Sequence, residues 1–221
     1  MPHIYTIDEL KNFFTETDQC QYSCEFPFRQ HIMPVIFRMI YMCGLRASEA
    51  RLLKVADVDL ENGILTINHS KKDNNRLIPM SDTLINLCKI YSEKVHTNPI
   101  TEDYYFPFIG NKPMTIGNLY KNFRRFLWRA KISHGGRGKG PRIHDLRHTY
   151  AVHCLKKWSK QDKDLSVYLP VLKTYMGHDS FAETAYYLHL TADVFPNITL
   201  KLENKYSEII PQLIGEYYET N

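Results

Sequence analysis

The sequence predicts an α+β fold that is mainly α-helical and carries one small antiparallel β-sheet. Apolar residues recur at helical spacing in several segments, whereas strand-like segments bounded by turn residues occur only within residues 57–80. Of the 221 residues, 43% are hydrophobic and 24% are charged, as in an average globular protein. No apolar run approaches the ~18 residues that a membrane-spanning helix requires. We therefore expect a globular cytoplasmic protein with its own core and no contact with a membrane.

The N-terminal quarter predicts three helices. Thr6 and Glu9 have the spacing of a capping box, which begins a first helix. Residues 26–43 are mainly apolar and predict a second helix, and Gly44 is suited to the position after its end. Residues 47–53 predict a third, short helix.

The predicted sheet follows. Residues 61–63 (Glu-Asn-Gly) are a turn signal, and the run Ile-Leu-Thr-Ile at 64–67, in which three of the four residues are β-branched, predicts a strand. Residues 71–75 are polar and typical of a turn, and 76–79 predict the returning strand. The expected structure is an antiparallel sheet whose turn carries lysines.

Helical spacing resumes after the sheet. We predict helices over about 82–95, 116–127, 143–158, 167–176 and 180–190. The helical pattern is interrupted at residues 195–197 (Phe-Pro-Asn), before a last amphipathic helix within 196–221. This division predicts a main domain over residues 1–195 and a C-terminal helix beyond it.

The five cysteines do not predict a disulfide framework, because their number is odd and their spacing irregular. Cys20 and Cys24 form a single pair without further ligands near by, which is too little for a zinc site. We expect five reduced, mostly buried thiols and no metal.

Basic residues are concentrated in one stretch. Between residues 121 and 147 there are nine basic side chains and one acid, although the net charge of the whole chain is only +4. Such a stretch is typical of a protein that binds a polyanion; the alternative is a solvated helix face and loop. The cations expected to contact such a polyanion, together with Lys72 on the predicted turn, are Lys121, Arg124, Arg125, Arg129, Arg137, Lys139 and Arg142.

A glycine-rich basic loop over 134–141 lies within this stretch. It lacks the terminal Lys-Ser/Thr of a P-loop and the flanking strand of a dinucleotide-binding loop. We expect it to approach phosphate groups without binding a nucleotide.

Three further segments combine arginine, histidine and tyrosine. They are residues 44–49 (Gly-Leu-Arg-Ala-Ser-Glu), 144–149 (His-Asp-Leu-Arg-His-Thr) and 176–189. The third segment contains Gly177-His178 and, nine residues after His178, Tyr187-Leu188-His189. Each segment alone is weak evidence, because a lone histidine or a tyrosine on an apolar helix is more often a packing residue.

Together, in this order and around a basic centre, the three segments resemble the tyrosine recombinases, also called phage-type integrases. Residues 44–49 resemble the first arginine box of that family, 144–149 its His-x-x-Arg box, and 176–189 its Leu-Gly-His … Tyr-x-His box. Residues 70–79 resemble its β-hairpin lysine element. The resemblance covers about residues 6–190 and implies the DNA breaking-rejoining enzyme fold and a site-specific recombinase that uses no metal or cofactor.

The resemblance also implies roles for individual residues. Tyr187 is the expected nucleophile, and the planar guanidinium groups of Arg46 and Arg147 suit the binding of the scissile phosphate. His178 adds a hydrogen bond to that phosphate, and His144 is the candidate to accept the tyrosine proton.

Lys71 on the predicted turn is the candidate to protonate the leaving 5′ oxygen, and Glu49 is expected to support the site. The adjacent Lys72 is the alternative to Lys71, and Tyr186 is the alternative to Tyr187. The register of the motifs favours the first of each pair.

Other functions were weighed against this one. A type IB topoisomerase shares the nucleophile and the arginines but not the Tyr-x-His ending. A DNA-binding module without catalysis does not require a placed tyrosine. A metallonuclease using His144 and His148 lacks an obvious third ligand.

The expected partner is double-stranded DNA. The resemblance implies a monomer without DNA and a tetramer on paired DNA sites, in which the helix within 196–221 packs on a neighbouring protomer. The alternative is that this helix packs on its own domain. It also implies a bacterial or phage-derived, nucleoid-associated protein that integrates or excises a mobile genetic element. The core-binding domain that usually precedes the catalytic domain in this family is not found in these 221 residues, which fits either an excised catalytic domain or a short member.

Overall fold

The computed structural model describes most of the chain up to the end of the last motif. The described ranges are residues 2–68, 75–98, 100–110, 112–136 and 139–191. The predicted C-terminal helix and the side chains of Lys71, Lys72 and Arg137 therefore lie outside the described residues.

Helices dominate the described part of the chain. They are α1 (Ile7–Asp18), α2 (Arg29–Met42), α3 (Ala47–Leu52), α4 (Asp82–Val95), α5 (Ile116–Arg129), α6 (Ile143–Lys160), α7 (Leu165–Met176) and α8 (Phe181–His189). The capping box predicted for α1 is present, since the Glu9 amide donates to Thr6 Oγ1 at 3.1 Å and the Thr6 amide donates to Glu9 Oε2 at 2.8 Å.

The main sheet has three antiparallel strands in the order β1 (Val58–Asp59), β2 (Ile64–Ile67) and β3 (Arg76–Pro79). The strands β2 and β3 were predicted, and their register pairs Ile67 with Arg76. The edge strand β1 was not predicted, because two residues are too short to show alternation.

A second, two-stranded sheet consists of β4 (Pro107–Phe108) and β5 (Lys112–Pro113). It also escaped prediction, since prolines and glycine in this segment favour turns. The prediction of a mainly helical α+β fold is nevertheless confirmed.

The helix α2 is the centre of the larger hydrophobic core. It packs against α1, α3, α4 and α6, and most of its side chains are buried. The chain leaves its C-terminal end through Gly44, whose positive φ of 60° suits glycine. This exit delivers the first arginine motif to the edge of the core.

A smaller hydrophobic cluster joins α6, α7 and α8. Its buried members include Leu155 from α6, Leu172 and Met176 from α7, and Tyr187 from α8. Helix α7 ends at Gly177 in the left-handed conformation, so the chain turns directly into the His178 segment. Among the described residues, no helix is long and apolar enough to cross a membrane.

Candidate active site

Four parts of the fold meet at one place: the exit from α2, the first turns of α6, the turn between α7 and α8, and the start of β3. Arg46 is the N-cap residue of α3 and its side chain is 36% exposed. Its Nη1 donates to Glu49 Oε1 at 2.9 Å, and its Nη2 donates to the Gly177 carbonyl oxygen at 2.9 Å. Arg46 thus joins the first motif to the third.

Arg147 lies beneath Arg46 and is only 1% exposed. Its Nη1 donates to the carbonyl oxygen of Gly44, and its Nη2 donates to that of Met176 at 2.6 Å. Burial, and the neighbouring charge of Arg46, lower the pKa of Arg147 to about 10, so the guanidinium stays charged at neutral pH. The second motif is therefore fixed to both other motifs through one side chain.

Glu49 is the carboxylate of this arginine cluster and is 3% exposed. Its Oε2 accepts from the Arg46 amide at 2.7 Å and from Arg76 Nη2 at 2.8 Å. Burial raises the pKa of Glu49, but the hydrogen bond and charge of Arg76, with those of Arg46 and Arg147, lower it overall. Glu49 therefore remains ionised among three guanidinium groups.

Tyr187 points into the site, whereas its neighbour Tyr186 points outward. Tyr187 is 2% exposed and Tyr186 is 43% exposed, as expected for adjacent residues about 100° apart on a helix. Burial raises the pKa of the Tyr187 hydroxyl, while the charges of Arg147 and Arg46 and a hydrogen bond with Arg147 lower it in part. The Tyr187 hydroxyl is thus placed against the same arginines that meet Glu49.

His178 packs flat against Tyr187, with ring centroids 5.8 Å apart and 22° between the ring planes. Its Nδ1 shares a hydrogen bond of 2.7 Å with the hydroxyl of Thr184. Desolvation by burial, and the charges of Arg147 and Arg46, lower the pKa of His178 to about 3. This imidazole is neutral at physiological pH.

Two further histidines lie on α6 beside the tyrosine. Nδ1 of His148 is 3.0 Å from the Tyr187 hydroxyl oxygen, and the ring of His144 meets that of His148 edge to face at 4.5 Å. Desolvation, His148 and Arg147 lower the pKa of His144 to about 4, and desolvation also lowers that of His148. The sequence argument gave His144 the contact with the nucleophile, but the residue in hydrogen-bonding distance is His148.

Sequence reasoning missed two side chains of this cluster, His148 and Arg76. The adjacency of His148 to Arg147 in the second motif was a usable signal for the first. No local pattern identifies Arg76, because its partner Glu49 is 27 positions away along the chain.

No metal centre is formed by the side chains within the described ranges, since no three His, Cys, Asp or Glu residues converge there. The five cysteines are free thiols, of which Cys20 is buried and Cys24 is exposed. His144 and His148 contact each other, but no third ligand joins them.

The predicted DNA-binding cations fall into two groups. Arg142 caps α6 next to the site: its amide donates to Asp145 Oδ2 at 2.8 Å, and its side chain is 59% exposed. Lys139, three residues earlier, is also exposed.

The cations of α5 form the other group. Lys121, Arg125 and Arg129 are exposed, and Arg125 and Arg129 line one shallow depression with Arg29. Arg29 begins α2 and Gly44 follows its end, so 14 residues at about 1.5 Å each separate this face from the arginine cluster by roughly 20 Å. The α5 cations therefore belong to a different surface from the candidate active site.

Comparison with known proteins decides the family. Residues 6–193 match the family described as the phage integrase family. The chain belongs to that family. The tyrosine recombinase resemblance found in the sequence motifs is thereby confirmed.

Individual relatives agree with this assignment. A relative from Sinorhizobium fredii named putative integrase/recombinase y4rE is 32% identical over 197 residues, which cover 87% of this chain and 61% of the relative. Tyrosine recombinase XerA of Pyrococcus furiosus is 28% identical over 72% of this chain and 50% of its own length. The chain thus spans between one half and about three fifths of the length of these relatives.

Solved structures share the fold. A crystal structure of XerA recombinase superposes with a TM-score of 0.69 at 23% identity, over 96% of this chain and 65% of the other. The catalytic domain of bacteriophage HP1 integrase superposes with a TM-score of 0.60 at 22% identity, over 95% of this chain and 97% of the other. The described part of this phage integrase family chain therefore has the fold of tyrosine recombinase catalytic domains.

Proposed function

We propose that this chain is a site-specific DNA recombinase that cuts and rejoins DNA through a 3′-phosphotyrosyl intermediate. The observation that carries the proposal is the position of the Tyr187 hydroxyl, which meets His148 at 3.0 Å and interacts with Arg147. A packing tyrosine has no need of a guanidinium and an imidazole at its hydroxyl. The names of the curated relatives, which are integrases and recombinases, support the same reading.

The arginine cluster suits a phosphodiester. Three guanidinium groups, from Arg46, Arg76 and Arg147, surround one carboxylate, so a positive charge remains to attract a phosphate. Arg46 is the most exposed of the three, with 36% of its side chain accessible to solvent. We assign Arg46 and Arg147 to the two non-bridging oxygens, where fixed donors stabilise the charge that develops in the transition state.

His178 supplies a third donor in this proposal. Its Nδ1 is engaged by Thr184, which leaves Nε2 for a phosphate oxygen. Because its pKa is about 3, His178 acts as a neutral donor throughout the physiological range. Thr184 fixes the direction in which the ring donates.

The tyrosine proton passes to a neutral imidazole. His148 is in contact with the hydroxyl and is the first acceptor by geometry, and His144 lies directly behind it. A free tyrosine has a pKa of about 10, so an acceptor and nearby cations are both needed for attack at neutral pH.

Tyr187 and Arg147 are almost fully buried, and the phosphate reaches them only after neighbouring side chains move.

The cleavage step balances without water or metal. The Tyr187 oxygen forms a bond to phosphorus, the bond from phosphorus to the 5′ oxygen breaks, and the leaving 5′ oxygen takes a proton. Lys71 remains our candidate donor, with Lys72 as the alternative. Because the phosphotyrosyl bond conserves the phosphodiester, a 5′ hydroxyl of another strand can reverse the step and rejoin the DNA.

We further propose that the duplex contacts Arg142 and Lys139 beside the site, and that Lys121, Arg124, Arg125 and Arg129 contact a more distant part of the backbone. Arg137, which lies outside the described residues, remains a candidate DNA contact. Exchange between two duplexes requires four protomers, and the helix within 196–221 is our candidate for the contact between them. Integration or excision of a mobile element is the corresponding biological role.

A nicked suicide duplex tests the proposal. After cleavage the short fragment that carries the free 5′ hydroxyl diffuses away, so a recombinase or a topoisomerase becomes trapped on a 3′ phosphate, whereas a binding module does not. Comparing strand exchange between two duplexes with relaxation of a supercoiled plasmid then separates the recombinase from the type IB topoisomerase. Absence of any covalent adduct on duplexes that the chain binds would contradict the proposal.

A further inference from the structure

We propose that Arg76 is a positioning residue for cleavage, which acts by holding Glu49 and thereby the phosphate-binding face of Arg46. This inference rests on the proposed function, because it assigns a further residue to the same site. Arg76 lies at the start of β3, within residues 70–79 that resemble the β-hairpin lysine element, but no role in the site was predicted for it. None of the three sequence motifs includes it.

The contacts of Arg76 connect three elements. Its Nη2 donates to Glu49 Oε2 at 2.8 Å, and its Nε donates to the Tyr175 carbonyl oxygen at 3.0 Å near the end of α7. Glu49 uses its other oxygen for Arg46 Nη1 at 2.9 Å. Arg76 therefore fixes one end of a carboxylate whose other end orients Arg46.

Gly177 makes this approach possible. A Cβ atom at position 177 would lie 2.8 Å from Arg76 Nη1, so any larger residue would push the guanidinium away. The carbonyl oxygen of the same Gly177 accepts from Arg46 Nη2 at 2.9 Å. The two arginines thus meet the turn before His178 from both sides.

The burial of Arg76 indicates a specific role. Its side chain is 7% exposed, and within the described residues its Nη1 is buried without a hydrogen-bond partner. Burying a cation is costly unless it is paired, and a packed apolar side chain would often be more stable at such a position. A buried guanidinium with one unused donor is better explained by the need to keep Glu49 ionised and in place.

Loss of Arg76 has an electrostatic consequence that packing alone would not produce. Burial raises the pKa of Glu49, and the hydrogen bond and charge of Arg76 are the largest opposing influences. Without Arg76 the pKa of Glu49 rises. Glu49 is then protonated at a higher pH and no longer holds Arg46.

The test uses the whole chain with Arg76→Met, Arg76→Lys and, as a matched control, Arg29→Met. Arg29 is also a buried arginine, 9% exposed, and its Nε donates to Asn122 Oδ1 at 2.7 Å at the far end of α2. Single-turnover cleavage of a suicide duplex, the DNA dissociation constant and the thermal midpoint are measured for each variant between pH 5.5 and 8.5.

We expect Arg76→Met to lower the cleavage rate by about 10–100-fold at pH 7.5, with DNA affinity changed by less than about 3-fold. The fall of its rate toward acid should begin at a higher pH than in the unsubstituted chain. Arg76→Lys keeps the charge but not the planar fork, so its pH profile should return toward normal while its rate stays reduced. Arg29→Met should change the thermal midpoint but neither the rate well below that temperature nor the pH profile.

An unchanged rate and pH profile in Arg76→Met, or an equal loss of rate in Arg29→Met, would overturn the proposal. If Arg76→Met does not fold, the reduced rate of Arg76→Lys decides. An NMR titration of the Glu49 carboxyl gives a readout that is independent of activity. Even if the chain does not cut DNA, the titration tests the inference. If the pKa of Glu49 is the same in both Arg76 variants and in the unsubstituted chain, Arg76 does not hold Glu49 in its ionised form.

Discussion

The hydroxyl oxygen of Tyr187 lies 3.0 Å from Nδ1 of His148, while the ring of Tyr186 next to it is 43% exposed. One helix thus presents two adjacent tyrosines to opposite environments. The sequence motif preferred Tyr187 by its register, and the fold places that residue against two arginines and two imidazoles.

Substitution of the two tyrosines should therefore have unequal effects. We expect Tyr187→Phe to abolish the covalent adduct with a nicked suicide duplex, because it removes the nucleophilic oxygen. DNA binding should persist, since no cation is lost. Tyr186→Phe is the matched control and should form the adduct normally. The adduct is measured on a denaturing gel. If Tyr187→Phe still forms it, Tyr186 is the nucleophile instead.

The two α6 histidines make separable predictions. His148→Gln should slow single-turnover cleavage by about 10²–10⁴-fold if it accepts the tyrosine proton, with little change in DNA affinity. His144→Gln should have a smaller effect, because His144 meets the hydroxyl only through His148. A larger loss in His144→Gln than in His148→Gln would favour the assignment made from the sequence.

Stability should depend on pH through His178. Its pKa is about 3 in the folded chain and about 6.5 when unfolded, so the unfolded state binds more protons between these values. As far as His178 is concerned, the free energy of unfolding should be highest above pH 6.5 and should decrease as the pH falls below that value. Between pH 7.5 and 5, we expect His178 to account for a loss of roughly 1–2 kcal/mol.

Urea unfolding at several pH values measures this dependence. His178→Gln is the comparison, since it retains a polar side chain of similar reach but does not titrate. Glu49 contributes little to this dependence above pH 5, because its pKa is lowered in the folded chain. An equal pH dependence in His178→Gln would contradict the assignment.

The sequence predicted the parts of the fold that have local signals. Thr6 and Glu9 mark the start of α1, and Gly44 follows the end of α2. Tyr187 and Arg147 were found because spacing within helices and motifs is local. Arg76 and the pairing of His148 with Tyr187 were not, since both depend on contacts between distant segments that no spacing encodes. The strands β1, β4 and β5 are two residues each, which is too short for any periodicity.

The general acid can be assigned by the chemistry of the leaving group. Lys71→Ala should slow cleavage of a normal duplex because the leaving 5′ oxygen is then not protonated. A duplex with sulfur in place of that bridging oxygen should restore the rate, because a thiolate leaves without protonation. Lys72→Ala is the matched control and should cleave the normal duplex at the usual rate. If instead Lys72→Ala is slow on the normal duplex and restored by the sulfur, Lys72 is the general acid.

The cations of α5 should govern affinity without governing chemistry. Replacing Lys121, Arg125 and Arg129 by Gln should weaken binding to all DNA sequences. The slope of log affinity against log salt should become flatter by about one unit for each lost phosphate contact. The cleavage rate at saturating protein should remain close to normal, since these residues lie roughly 20 Å from the arginine cluster. An unchanged salt slope would mean that they only solvate the helix.

Mutations that remove Arg147 and mutations that remove only the Tyr187 hydroxyl should have different genetic effects. Its guanidinium binds the carbonyl oxygens of Gly44 and Met176 and so connects the exits of α2 and α7. A mutant copy that loses Arg147 should misfold and be degraded, leaving an intact copy in the same cell to act undisturbed. Under the proposed function, a copy that loses only the Tyr187 hydroxyl should persist, bind the same DNA and interfere with the intact copy. The two null alleles should therefore differ in dominance, recessive for the arginine and dominant for the tyrosine.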